Sequence, residues 1–488
     1  MENNGNKVFN MLEKYKGIPL PAKAALWYSI MSVFQRGIMF LITPLYTRIL
    51  SPQEYGYYSL FATWMSVFSI LATLNLSGGG FNNAMLKYEH EKKKYIASMM
   101  GLGNVCTIII FIAIIFLHKY FSKWCGIDNF TLTCIFVVLL VTPAVECWIS
   151  AQRFYYNYRI MCVVIMLQAL LIPSVSVLFV YFLQEKKYAL IIGSTLVQFV
   201  IGLIVYVYNL FEGKCLYKKD YWKFALHFNL PLVPHYLASI ILGQADRIMI
   251  RNICGEDKVG IYSLGYNVSL LVNIFVTAIV TAFAPWVFRK IKDNNTKEVQ
   301  KYSNYIIILV GGITILSVLV GPEIISIIGT KEYEEAKWIL APVMVSCYLT
   351  LIYSLFANIE FYYEKSVFVM IASALAAVSN VGLNAVFIPK YGFIAAGYTT
   401  LMSYVILVVI HYIFMRVVMK NKRLKNIYSD RFIFHFSCII VSFSILSLLF
   451  YNKTIIRYMI FVIVIALLLL NYKRVCSIIK KVRENGDN

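Results

Sequence analysis

Long apolar runs, separated by short polar and basic connections, recur along the whole sequence and leave the chain one kind of fold. A hydrocarbon layer takes roughly 20 apolar residues of helix to cross. Fourteen runs approach or exceed that length, at 24–47, 57–81, 95–117, 130–151, 160–183, 188–211, 225–250, 259–287, 303–321, 338–358, 367–388, 392–415, 432–451 and 455–472. They lack the short alternation of a membrane barrel strand. Only 14% of residues are charged and mean hydropathy is +0.70, against roughly 25% charged in a soluble domain. The sequence therefore specifies an all-α polytopic membrane protein with 14 transmembrane helices.

A formal net charge of +21 would suggest nucleic acid as the partner of a soluble protein. Here the lysines and arginines lie in connections, concentrated in alternate ones, for example Lys92 to Lys94, Lys214 to Lys223, Arg289 to Lys301 and Arg416 to Arg431. That pattern orients a membrane protein and attracts anionic lipid. It places both termini in the cytoplasm, with membrane lipids and not nucleic acid as partners. The polar, basic first residues, with Pro19 and Pro21 ahead of the first span, do not read as a cleaved signal peptide. Ten scattered cysteines without a CxxC or a Cys/His cluster support neither a metal site nor a disulfide framework.

The chain is internally duplicated. Gly56, Tyr58, Ser59 and Leu60 recur 204 positions later as Gly260, Tyr262, Ser263 and Leu264, and Phe154-Tyr155-Tyr156 recurs at 207 as Phe361-Tyr362-Tyr363. Lys187-Tyr188 and Lys390-Tyr391, 203 apart, read as a third echo. The expected organisation is a cytoplasmic segment 1–23, an N-lobe 24–213 with spans 1 to 6, a C-lobe 214–418 with spans 7 to 12, two further spans in 419–472 and a cytoplasmic tail 473–488. Six spans per repeat give both lobes the same orientation in the membrane.

Polar residues inside the spans are the candidate site. Arg36 leads, because an arginine in mid-span costs about 2.5 to 3.5 kcal/mol on insertion scales and turns toward an interior or water. Ser32, Arg36, Thr43 and Thr47 share one helix face. Shifted by 203 they become His235, Ser239, Asp246 and Ile250, a matching stripe on span 7. Span 2 adds Ser59, Thr63, Ser66, Thr73 and Ser77, and together the stripes suggest a hydrated cleft. The substrate-binding candidates are Arg36, Ser32, Thr43, His235, Ser239, Asp246 and Arg247; no catalytic or metal-ligating residue stands out. Each has a plainer reading. Hydroxyls pack helices or bond their own backbone, Arg36 pairs with an acid or with carbonyls, Asp246 and Arg247 form an interfacial charge pair, and His235 is a hydrogen-bonded structural histidine. Pro231 and Pro234, at the start of span 7, mark a candidate hinge.

Thr47-Arg-Ile-Leu-Ser-Pro-Gln-Glu-Tyr-Gly56, with Ala245-Asp-Arg-Ile-Met-Ile-Arg251 and Val259-Gly-Ile-Tyr-Ser263, resembles the Wzx-type flippases of lipid-linked oligosaccharides, in the superfamily that holds the MATE drug exporters. The resemblance extends over the whole fourteen-span layout. It implies alternating access between two bundles and transfer of undecaprenyl-diphosphate-linked repeat units across the bacterial cytoplasmic membrane for capsule, O-antigen or exopolysaccharide synthesis. It also implies that basic residues hold the diphosphate, a role that Arg36 suits best because a planar guanidinium matches phosphate oxygens. The implied partners are the lipid-linked oligosaccharide, membrane lipids and a coupling cation, with a monomer acting alone. No GxxxxGK[ST] motif is present, so neither ATP nor another cofactor is expected, and the protein is not expected to be an enzyme.

Two other readings compete. An ion-coupled drug antiporter of the same superfamily would favour intramembrane carboxylates, and spans 1 to 6 hold only Glu146. A membrane polysaccharide polymerase would carry a large external loop, whereas the longest external connection runs only from about Pro322 to Lys337.

Overall fold

The computed structural model describes residue 17 and residues 19–116, 125–293, 295–422 and 426–470, with side chains to 467; the expected tail 473–488 and most of segment 1–23 lie outside them. Every regular element among the described residues is helical. In order these are α1 (Leu20–Ile49), α2 (Pro52–Thr73), α3 (Phe81–Lys87), α4 (Lys92–Phe116), α5 (Asn129–Phe154), α6 (Tyr158–Phe182), α7 (Lys186–Gly213), α8 (Lys219–Asn229) and α9 (Val233–Cys254). There follow α10 (Glu256–Lys292), α11 (Thr296–Leu319), α12 (Gly321–Ile328), α13 (Lys337–Tyr362), α14 (Ser366–Tyr391), α15 (Ile394–Asn421), α16 (Asp430–Leu446) and α17 (Thr454–Leu470).

Twelve helical stretches among the described residues are long and apolar enough to cross a membrane, α8 and α9 counting as one. The other two expected spans are present as helices but fall short. α2 has 22 residues, yet its run from Gln53 to Ser59 and Thr63 lowers its hydropathy, and α17 is apolar but brief. The second span also differs in its limits. It covers Pro52–Thr73 instead of 57–81, because Leu74 and Asn75 take positive φ and Gly78 to Gly80 turn the chain into α3. At Pro231 and Pro234 a 3-10 turn over Leu230–Leu232 separates α8 from α9, as expected where proline removes helix hydrogen bonds. α14 carries Pro389 to its end, and Gly392, at φ 73, makes the short turn into α15.

The helix starts bear out the duplication and refine its register. α2 and α10 start 204 residues apart, as do α4 and α11, whereas α5 and α13, α6 and α14, and α7 and α15 start 208 apart. The echo at 203 fails, since Lys187-Tyr188 opens α7 while Lys390-Tyr391 closes α14. The stripe alignment shifts as well: at the offset of the adjoining pair, Thr43 and Thr47 correspond to Arg247 and Arg251 instead of Asp246 and Ile250.

Two compact units emerge. The first comprises Met1–Ile42, Phe68–Ser122 and Asp128–Val233; the second comprises Thr43–Val67, Lys123–Ile127 and Pro234–Asn488. α5 is the core helix of the first and its repeat mate α13 of the second, with 67% and 83% of their apolar stretches buried. A helix apolar on all sides is stable only when surrounded. Around α13 pack α10, α11, α15 and α16, and α5 lies against α4 and α7. In the second unit α2 and α10 cross glycine to glycine. A Cβ on Gly56 would lie 2.0 Å from the Glu256 carbonyl oxygen, and one on Gly260 would lie 1.9 Å from that of Pro52. Pro52 and Glu256 are themselves 204 apart, so the crossing is symmetric about the repeat.

α17 is tied down by Arg457, whose side chain is 3% exposed. It gives two hydrogen bonds to the Glu323 carboxylate, at 2.6 and 2.7 Å, and one to the Leu319 carbonyl at 2.6 Å. Burial alone would raise the Glu323 carboxyl, but the bonds from Arg457 outweigh it and hold it below its ordinary value.

Gly56→Ala and Gly260→Ala should each lower the unfolding temperature of the purified protein by overpacking one contact, at about 1 to 3 kcal/mol. The double variant should lose less than the sum, since both changes strike the same crossing. For Glu323 the folded value is the lower one, so the pair stabilises above the ordinary carboxyl value and its contribution is lost as pH falls through the folded value. Melting curves of wild type and Arg457→Ala should differ near neutral pH and converge in acid.

Candidate functional site

α1 carries its polar face through two environments. Ser32 and Arg36 are exposed, whereas Thr43 and Thr47 are 7% and 1% exposed. Arg36 lies close to the middle of the 30-residue helix, about 24 Å from its start and about 20 Å from its end at 1.5 Å per residue. Further along, in the second unit, the Thr47 hydroxyl donates to the Ile328 carbonyl oxygen of α12. On α9, His235 is half-buried, and the exposed Ser239 donates to its carbonyl oxygen at 3.1 Å. The α2 hydroxyls follow the plainer course: Ser59, Thr63 and Ser66 bond the carbonyls of Tyr55, Ser59 and Ala62 in their own helix. Thr63 also reaches Gln244 Oε1, at 3.3 Å.

The densest polar grouping surrounds Asp246 and Arg247. Both are buried, at 0% and 5% exposure, so they are not an interfacial charge pair open to water. Asp246 Oδ2 accepts from the Tyr262 hydroxyl at 2.5 Å and from Thr400 at 2.8 Å, and Oδ1 accepts from Asn384 Nδ2 at 2.6 Å. Asn384 in turn accepts from Thr399 and donates to Asn380 Oδ1 at 3.2 Å. Arg247 donates to Ser263 Oγ at 3.2 Å, to Gln244 Oε1 at 2.9 Å and to the Gly243 carbonyl at 3.1 Å, and its guanidinium lies 4.6 Å from the Tyr266 ring centre. A buried carboxylate is tolerated where several donors meet it and a cation stands near.

Four helices build this network. α9 places Asp246 and Arg247 side by side, α10 contributes Tyr262, Ser263 and Tyr266 one turn apart, α14 presents Asn380 and Asn384 at the four-residue spacing of a single face, and α15 opens with Thr399 and Thr400. Of the seven candidates from the sequence, Asp246 and Arg247 come together here. His235 and Ser239 sit together higher on α9, Thr43 is buried at the end of α1, and Ser32 and Arg36 belong to the first unit. Sequence reasoning placed none of Asn380, Asn384, Thr399 and Thr400 in the site. Their signal was the spacing of the two asparagines on a helix whose other intramembrane residues are mostly apolar. Chemically, the groups able to take up a proton or a hard cation, which prefers oxygen donors, are the Asp246 carboxylate and the hydroxyl oxygens of Tyr262 and Thr400 beside it. Among the described residues no three or more His, Cys, Asp or Glu side chains are grouped so that they could hold a metal ion.

Removing one donor tests the network. Tyr262→Phe and Asn384→Ala should each destabilise the protein by about 1 to 3 kcal/mol, the cost of leaving a buried polar group unmet. Asp246→Asn together with Tyr262→Phe should cost less than the separate changes add to, as read by thermal unfolding.

Residues 22–292, more than half of the chain, match a family described as polysaccharide biosynthesis protein. Residues 231–386 also match one described as MatE. The chain is 23% identical over 369 residues to Lsg locus putative protein 1 of Haemophilus influenzae, covering 73% of this chain and 88% of that protein. A second protein of that organism, an uncharacterized membrane protein, is 21% identical over the same share of this chain and 87% of its own. In fold the chain is similar to the lipid II flippase MurJ in an inward closed conformation, with TM-score 0.66 and 15% identity over 93% of this chain and 100% of that one. It is also similar to an inward-facing multidrug resistance MATE family transporter of the MOP superfamily, with TM-score 0.64 and 12% identity over 80% and 96%.

Proposed function

The chain belongs to the family described as polysaccharide biosynthesis protein, and from that premise we propose that it is a membrane transporter, a flippase for undecaprenyl-diphosphate-linked oligosaccharide. It moves repeat units across the bacterial cytoplasmic membrane for the assembly of capsule or another surface polysaccharide. The observation that carries the reading is Arg36, exposed midway along a helix of membrane length. A fixed positive charge at that depth is costly in lipid and favourable against an anion or water. A diphosphate supplies the anion, and the guanidinium offers it two parallel hydrogen bonds. Ser32 on the same face adds a hydroxyl for phosphate or sugar.

Coupling is assigned to the Asp246 network. Its oxygen donors accept a proton or a monovalent cation, and its four helices would feel the change of charge together. Both termini face the cytoplasm by the distribution of basic residues. The match to MatE over part of the chain keeps a drug-exporting reading as the alternative outcome of the test.

Leaflet-resolved labelling of lipid-linked oligosaccharide decides between them. Depletion of the protein should strand single repeat units in the inner leaflet, and Arg36→Ala should reproduce the block while the protein still inserts, with Arg36→Lys intermediate. Repeat units reaching the outer leaflet at the normal rate without the protein would end the flippase reading. Drug accumulation on depletion would favour the exporter.

A further inference from the structure

One pair of ionisable side chains in the second unit stands apart from the Asp246 network. Glu360, two residues before the end of α13, and His411 of α15 are 0% and 1% exposed. His411 Nδ1 lies 2.9 Å from Glu360 Oε1. The far atom of each group, Glu360 Oε2 and His411 Nε2, is equally buried and has no hydrogen-bond partner among the described residues. Tyr353 is stacked on the imidazole with ring centres 5.4 Å apart and an angle of 18°, which fixes the ring plane.

The pair can exist at three charges. A carboxylate accepting from a neutral imidazole carries net minus one. One more proton makes an imidazolium facing a carboxylate, with no net charge. A second makes an imidazolium facing a carboxylic acid, with net plus one. A poorly polarisable interior penalises either charged form, and two groups this close release their protons as one coupled system.

We propose that Glu360 and His411 form a proton-binding dyad that holds α13 to α15 in its neutral form and loosens them when it gains or loses a proton. The Glu360 carboxyl is the acidic group that faces the His411 imidazole. The other titratable neighbours are Tyr353 on α13 and Tyr404 on α15, which neighbours Tyr353 and, on α10, Tyr266. Two charged groups on the surrounding helices are engaged elsewhere: Arg416 of α15 pairs with Asp430 of α16 at 3.2 Å, and Lys290 of α10 with Glu298 of α11 at 2.9 Å. In the turn before α14, Lys365 is exposed, and its backbone N–H donates to the Glu360 carbonyl at 2.8 Å. Glu360 lies a single turn from the end of its helix, so the exchanged proton has a short path to solvent at that end. The inference concerns proton binding by the folded chain and stands independently of the cargo.

Infrared difference spectroscopy of the full chain in lipid nanodiscs, without cargo and stepped through pH, tests it. Histidine labelled with carbon-13 marks the imidazole bands. The carboxylic C=O band and the imidazole bands should reflect one coupled system, Glu360→Gln should abolish the former and displace the latter, and hydrogen exchange in α15 around His411 should quicken on both sides of the neutral range. An unchanged C=O band in Glu360→Gln would overturn the proposal, as would imidazole bands that do not respond to that change. If Glu360→Gln does not fold, the labelled wild type decides: absence of a carboxyl titration, or exchange in α15 indifferent to pH, would equally overturn it.

Discussion

A hydrocarbon layer offers backbone groups no water, so each N–H and C=O in it must find a partner inside its own segment, and helices meet that demand. The same constraint then acts on side chains. Hydroxyls such as Ser59, Thr63 and Ser66 turn back on the carbonyls of their own helix. Groups that cannot do so are gathered into networks in which several helices contribute. Asp246 is the extreme instance, a carboxylate at 0% exposure satisfied by three other helices.

Duplication organises where such networks form. The α2 and α10 crossing repeats the same backbone approach in both directions, and α5 and α13 occupy the same core position in their respective units. Chemistry nevertheless differs between the repeats. The exposed arginine is on α1, while the buried carboxylate is on α9, its amide partners are on α14 and its threonine hydroxyls are on α15. Two copies of one framework thus carry separate tasks, anion contact in the first and ion binding in the second under the proposed function.

The membrane class, the helical positions and the repeat were legible because each rests on patterns spanning many residues. Apolar length located α4 to α7, α10, α11 and α13 to α16 to within about seven residues at either end but gave no sign of α12, and the Gly56 and Gly260 echo found a real crossing. Limits set by single turns were not legible. The end of α2 depends on the positive φ of Leu74 and Asn75, which propensity does not announce. The echo at Lys390 misled because a shared dipeptide carries no register by itself. Within the candidate site, Asp246 and Arg247 were visible as charges in an apolar run. Their partners Tyr262, Asn384 and Thr400 come from residues up to 154 positions away, and no local pattern links them.

The Arg457 clamp bears on how the chain is made. Glu323 leads Arg457 by 134 residues, which at typical synthesis rates of about 5 to 20 residues per second is an interval of roughly 7 to 27 seconds. During that time the acid on α12 and the Leu319 carbonyl await a partner not yet translated. α17, outside both repeats, is made well after α12, and Arg457 is the side chain that fastens it to α12 within the second unit. A ribosome stalled before residue 457 would leave a chain with both repeats complete and that seam unfastened, a form that quality-control proteases are suited to recognise.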